Sequence, residues 1–221
     1  MTLHHAHPWD LTPKEAVAVQ RRLAPLVREE SLDLDALRTV AGVDVSVRGD
    51  RVRAAVVVLD VDTLGVLDQA TWEGPVVFPY VPGLLSFREM PAALPALESL
   101  GALPDAFVLD AQGLAHPRRF GLACHLGVLL DRPSIGVAKT IFVGRHGPLG
   151  EPKGSTADLV HKGDVVGQAV RTRERVKPVF VSVGHRATLP DAVALTLRLT
   201  TRYKLPEATR LAHRLSYSGS L

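Results

Sequence analysis

The sequence predicts an α/β protein in which one mixed sheet carries helices on both faces. Three observations lead there. Three β-rich runs follow one another across four-residue connections, the pattern of an antiparallel meander. Short apolar runs then alternate with helical patterns, as expected where a sheet is covered on both sides. Hydrophobic residues make up 46% of the chain against 22% charged, enough for a substantial core in one globular unit spanning residues 1–221.

The elements follow in order. Thr12-Pro13-Lys14-Glu15 opens a helix, with Thr12 as N-cap, Pro13 in the first turn and Glu15 closing a capping box. Ala16, Val17, Val19, Leu23, Leu26 and Val27 continue the helical spacing to about Arg28. The meander comprises 39–47, 52–60 and about 65–72. A helix over 84–100 is expected despite Pro91 and Pro95, which would kink it. Ala106–Asp110 reads as a buried strand, Phe120–Leu130 as an apolar helix and Ser134–Ala138 as a second buried strand. Residues 165–171 and 178–183 read as a strand pair, and helices over about 189–203 and 206–215 follow.

Composition narrows the function classes. No apolar run approaches the ~20 residues of a membrane helix, and the N-terminal stretch lacks the basic and apolar regions of a signal peptide. The lone Cys124 cannot form an internal disulfide, which fits a reducing cytoplasm, and no membrane partner is expected. Charge is unevenly spread: residues 1–131 carry a net −6 and residues 132–221 a net +9, with 20 Arg against 6 Lys. An arginine-rich basic half is the electrostatic footprint of a nucleic-acid partner, and equally of a solvated surface.

The segment from Phe78 to Glu89, Phe-Pro-Tyr-Val-Pro-Gly-Leu-Leu-Ser-Phe-Arg-Glu, is uncharged until Arg88 and punctuated by Pro79, Pro82 and Gly83. It reads as an apolar loop that is either buried or kept exposed to touch something, and it ends on the carboxylate of Glu89. Asp44 lies inside the first strand between Val43 and Val45, and Asp110 ends a strand where a side chain can face a ligand crevice. If those two strands are adjacent, the carboxylates converge, and a hard divalent cation would relieve their repulsion. Lys139 follows a strand and could pair with a phosphate oxygen; His213 lies late on a helix. Taken singly, each residue is as well explained by a capped strand end, a salt bridge, a helix-start glutamate or a solvated surface group.

Taken in order, Val-Ala-Gly-Val-Asp-Val-Ser, the Pro-Tyr-Val-Pro-Gly-Leu loop, Leu-Asp-Ala-Gln-Gly-Leu-Ala-His-Pro-Arg-Arg, Ile-Gly-Val-Ala-Lys and Thr-Arg-Leu-Ala-His resemble the endonuclease V family over nearly the whole chain. The resemblance implies an RNase H-like fold and a nuclease directed at deoxyinosine in DNA. Such an enzyme cuts the second phosphodiester 3′ to the lesion and leaves 3′-hydroxyl and 5′-phosphate ends. It implies Asp44, Asp110 and Glu89 as ligands of Mg²⁺, with Mn²⁺ as a substitute, His213 beside the metal site and Lys139 beside the scissile phosphate. It further implies Tyr80, braced by Pro79 and Pro82, as a wedge that refills the stack after the damaged base is extruded. His116 and Arg118 would lie along the DNA backbone.

Hypoxanthine offers an O6 acceptor and an N1–H donor and lacks guanine's amino group, so main-chain groups at Gly83, Leu84, Leu85 and Gly113 are candidate readers. A monomer is expected, with inosine-containing RNA as a second candidate substrate and a non-catalytic nucleic-acid-binding module as the rival class. One departure stands out: Ala111 occupies a position where the family commonly has glycine, and its methyl group would reshape the base pocket. Cys124 reads as a buried structural thiol, and the His4-His5-Ala6-His7 cluster as a frayed terminus.

Overall fold

Strands β1 (Thr39–Arg48), β2 (Arg51–Asp60) and β3 (Val66–Pro75) form the expected meander in the computed structural model, which describes residues 1–221. β4 (Ala106–Leu109) runs parallel to β1, and β5 (Ser134–Ala138) runs parallel to β4. β9 (Val179–His185) returns antiparallel to β5 and carries β8 (Asp164–Val170), β7 (Thr156–His161) and the two-residue β6 (Arg145–His146). The result is one nine-stranded sheet in the order β3-β2-β1-β4-β5-β9-β8-β7-β6.

Helices cover both faces. α4 (Leu189–Arg198) and α5 (Glu207–Ser218) pack on one face over a core that includes Val57, Val108, Val137, Val181, Leu195 and Leu215. α2 (Leu85–Glu98) and α3 (Leu122–Leu130) cover the other, over Val43, Val56, Leu94, Leu109, Leu126 and Leu129. α1 (Pro13–Leu23) adds an outer layer: Ala16 meets Phe78, Leu84 and Phe87, and Leu23 meets Phe120 and Cys124. Both bonds of the α1 capping box are present.

Two helix ends and one hairpin stand out against the sequence reading. α1 stops at Leu23 and a short 3₁₀ turn over Ala24–Leu26 follows, because Pro25 has no N–H with which to continue the ladder. α4 ends at Arg198, where Thr196 and Thr200 turn their hydroxyls back onto the carbonyls of Ala192 and Thr196. The hairpin β6–β7 was not expected. Its burial is slight, so it lacks the apolar alternation that marks a strand. Pro91 and Pro95 both lie within α2 without ending it.

The N-terminus is docked, not frayed. The His4 amide donates to the Leu129 carbonyl at 2.7 Å, and His7 packs against Trp9, Phe87 and His125. No helix is long and apolar enough to cross a membrane.

Candidate active site

The parallel pairing of β1 with β4 puts Val43 opposite Leu109. Asp44 and Asp110 are each the next residue, so their carboxylates emerge side by side where β4 ends. Asp44 shares a sheet face with Gly42, against which α5 packs so closely that a Cβ at Gly42 would stand 2.1 Å from the Ala208 carbonyl oxygen. This approach brings the end of α5 onto Asp44. The Asp44 carboxylate accepts a hydrogen bond from the Ser216 hydroxyl and lies 3.3 Å from His213 Nδ1. Lys139, one residue past β5, is ion-paired with Asp110.

Glu89 approaches from the opposite face on the second turn of α2. Burial first, then the negative charges of Asp44 and Asp110, push its pKa up to about 8. Three carboxylates from β1, α2 and the end of β4 thus sense one another. No three His, Cys, Asp or Glu side chains are close enough to enclose an ion: Lys139 holds Asp110, while Ser216 and His213 hold Asp44. The donor set is nonetheless all oxygen and rich in negative charge, the chemistry that suits a hard divalent cation.

Beside these groups lies a cavity of about 480 Å³, and Asp110 and Lys139 form part of its wall. The loop from Tyr80 to Ser86 forms another part, with Gln20, Gln112, His116 and Phe142. Tyr80 stands at its edge, 70% exposed, between exposed Pro79 and Pro82. Phe78, Leu84 and Phe87 anchor the same loop in the core. The segment is therefore both buried and exposed: its ends are held and its tip is offered to solvent.

Several expected site residues do other work. Leu84 does not line the cavity: its main-chain N–H donates to the Val81 carbonyl, its carbonyl accepts from Phe87, and its side chain is buried against Ala16, Phe78 and Phe87. Gly113 is absent from the cavity wall. Its N–H donates to Ser182 Oγ, its carbonyl accepts from Gly121, and a Cβ there would strike the Val183 carbonyl. His116 and Arg118 do not present themselves as a strip along the surface. His116 Nε2 donates to the Gly83 carbonyl at 3.1 Å and Arg118 Nη2 at 2.7 Å, where Gln20 Nε2 also donates at 2.9 Å. That carbonyl is saturated and cannot read a base, whereas Pro82, Gly83 and Leu85 do stand in the cavity wall.

Burial and the nearby Arg118 charge, opposed by the Gly83 bond, lower the His116 pKa to about 4, so its ring is neutral. Ala111 lines the cavity and packs into the core below it. Burial raises the Cys124 thiol to about 12, consistent with an inert packing role.

Among the cavity residues that the sequence reading did not name are Gln20, Ser86, Gln112 and Phe142. Gln20 had a signal, a polar group in line with Ala16 and Leu23 on the buried side of a helix. Gln112 had none. Its Nε2 donates to the Thr140 carbonyl, and its Oε1 is the only buried side-chain polar atom without a hydrogen-bond partner.

Comparison with known proteins gives a consistent picture. A family profile described as endonuclease V matches residues 21–214. The endonuclease V of Trichormus variabilis is 47% identical over 218 residues, covering 98% of this chain and 99% of the relative. The crystal structure of Streptomyces avermitilis endonuclease V superposes with a TM-score of 0.92 at 49% identity, covering 99% of this chain and 97% of that one. Endonuclease V of Ciona intestinalis, solved in complex with a 24mer DNA containing an inosine followed by a ribo-adenosine, superposes with a TM-score of 0.83 at 27% identity. That match covers 93% of this chain and 96% of the other.

Proposed function

Because the chain belongs to the endonuclease V family and has its RNase H-like fold, we propose that it is a DNA-repair nuclease. Its substrate is DNA in which a purine has been deaminated to hypoxanthine, and it hydrolyses the second phosphodiester 3′ to the lesion, leaving 3′-hydroxyl and 5′-phosphate ends. One observation carries this reading: Asp110 and Lys139 belong both to the carboxylate cluster and to the wall of the cavity behind Tyr80. A base drawn into that cavity leaves its own strand lying across the carboxylates.

Each side chain then has a task. Tyr80 fills the gap left by the extruded base, held by the restricted backbones of Pro79 and Pro82. Asp44, Glu89 and Asp110 would hold Mg²⁺, for which Mn²⁺ is a chemical substitute. When bound there, such an ion would supply Lewis-acid chemistry, polarising a phosphate and acidifying a water. Lys139 presents its ammonium to a non-bridging phosphate oxygen, which competes with Asp110 for it. His213, 55% exposed at its side chain and beside Asp44, is placed to orient water or take its proton. All these groups come from one chain, so a monomer suffices, and the cytoplasm is the compartment we assign.

The test is a nicking assay on matched duplexes carrying adenine or hypoxanthine, with Mg²⁺ or with EDTA. The wild type should cut only the hypoxanthine strand and only with the metal. Asp110→Ala should lose cutting by at least about a thousandfold while still binding the lesion duplex. Cutting at the wild-type rate by that variant would overturn the assignment. The ribo-adenosine in the Ciona complex makes inosine-containing RNA the parallel substrate to assay.

A further inference from the structure

Behind the cavity runs a chain of hydrogen bonds that the catalytic roles above leave unused. His7 Nδ1 lies 2.7 Å from the Pro8 carbonyl, His7 Nε2 lies 2.8 Å from His125 Nε2, and His125 Nδ1 lies 2.9 Å from Ser86 Oγ. The direction of every proton in this chain is determined. A carbonyl only accepts, so His7 carries its proton on Nδ1. Burial lowers the pKa of both rings, His125 most strongly, and each therefore holds one proton at neutral pH. His7 Nε2 must accept, so His125 Nε2–H donates to it. His125 Nδ1 must then accept, and the only available donor is the Ser86 hydroxyl.

The hydroxyl proton of Ser86, a residue of the cavity wall that is 2% exposed, is thus committed to His125, and its oxygen keeps only lone pairs for a ligand. The arrangement is rigid. His125 is fully buried, and Trp9, Phe87 and Phe120 surround its ring.

We propose that Ser86 Oγ is a specificity-determining acceptor for the N1–H of hypoxanthine, and that His125 is the positioning residue that makes it acceptor-only. Adenine presents a lone pair at N1, which would face the Ser86 lone pairs, so the unmodified base is rejected at the atom deamination changes. Guanine also has N1–H, and its rejection belongs to other parts of the wall. The proposal rests on the base-reading function given above.

The experiment measures binding, in EDTA so that no strand is cut, to duplexes carrying hypoxanthine or unsubstituted purine at one position. Purine offers only a lone pair at N1. The wild type should prefer hypoxanthine. Ser86→Ala should lose about tenfold in affinity for the hypoxanthine duplex, the contribution of one hydrogen bond to a desolvated group, and nothing for the purine duplex. His125→Phe keeps the ring's volume and frees the Ser86 proton. It should narrow the hypoxanthine-to-purine ratio by raising purine affinity, with thermal melting confirming the fold.

Equal losses for both bases in Ser86→Ala would mean a structural role only and overturn the proposal. An unchanged ratio in both variants would overturn it too, and would leave Gln112 Oε1 as the reader. A wild type with no preference for hypoxanthine over purine would overturn the base-reading function itself, and this inference with it.

Discussion

Gly83 organises the Tyr80 loop through one backbone carbonyl and one backbone angle. Its φ of +82° lies in the left-handed region, and a Cβ would stand 2.7 Å from Arg118 Nη2. Gly83→Ala therefore meets both a conformational cost of about 1–2 kcal/mol and displacement of one of three donors on the carbonyl. We expect a melting temperature lower by several degrees and weaker binding of hypoxanthine DNA, read by thermal denaturation and by titration with a labelled duplex. Unchanged binding would show that the loop does not depend on this anchor. The turn itself was legible, because Pro82-Gly83 breaks any regular element. Its anchors were not: residues 20, 116 and 118 are distant in sequence, and a linear pattern of His-Pro-Arg does not say which carbonyl the side chains will find. The same holds for Ser86, whose meaning comes from a histidine 39 residues further on.

At the level of elements, the seam between α5 and β1 carries the site. Gly42 lets the helix backbone sit directly on the strand, which places His213 and Ser216 against Asp44. Gly42→Ala should push α5 outward at an overpacking cost of about 1–3 kcal/mol. It should also reduce single-turnover nicking far more than it reduces lesion binding, because the cavity lies across the sheet from α5. Chemical denaturation and rapid-quench kinetics would check the two parts, and an active, stable variant would rule out the seam as the positioning device. The meander, both buried strands and all five helices were legible from periodicity and caps, and the adjacency of the Asp44 and Asp110 strands was foreseen as a condition. The β6–β7 hairpin was not, since edge strands bury little and advertise little. Nor could periodicity reveal that Gly42 is a contact surface for a helix beginning more than 160 residues later.

Across the whole molecule, five histidines share one electrostatic fate. His7, His116, His125, His161 and His185 all have pKa values lowered from 6.5, in each case chiefly by desolvation. Between the unfolded and folded pKa values the unfolded chain binds more protons, so this stability is fully present above about pH 6.5 and declines as acid is added. For His116 the decline continues to about pH 4, where the folded protein takes up its own proton, and it amounts to roughly 3 kcal/mol. Glu89, raised to about 8, has the opposite sign and adds stability as acid is added, so the test is urea unfolding of Glu89→Gln at pH 8, 6 and 4.5: its midpoint should fall steadily, and a flat profile would contradict the buried neutral rings. The docking of α5 on β1 also has a consequence in time. A ribosome delivers Asp44 early, Glu89 and Asp110 midway and His213 late, while β1 must wait for α5 to be covered. The growing chain therefore carries Asp44, Glu89 and Asp110 without His213 and Ser216 beside them, and the site assembles only once α5 has been translated.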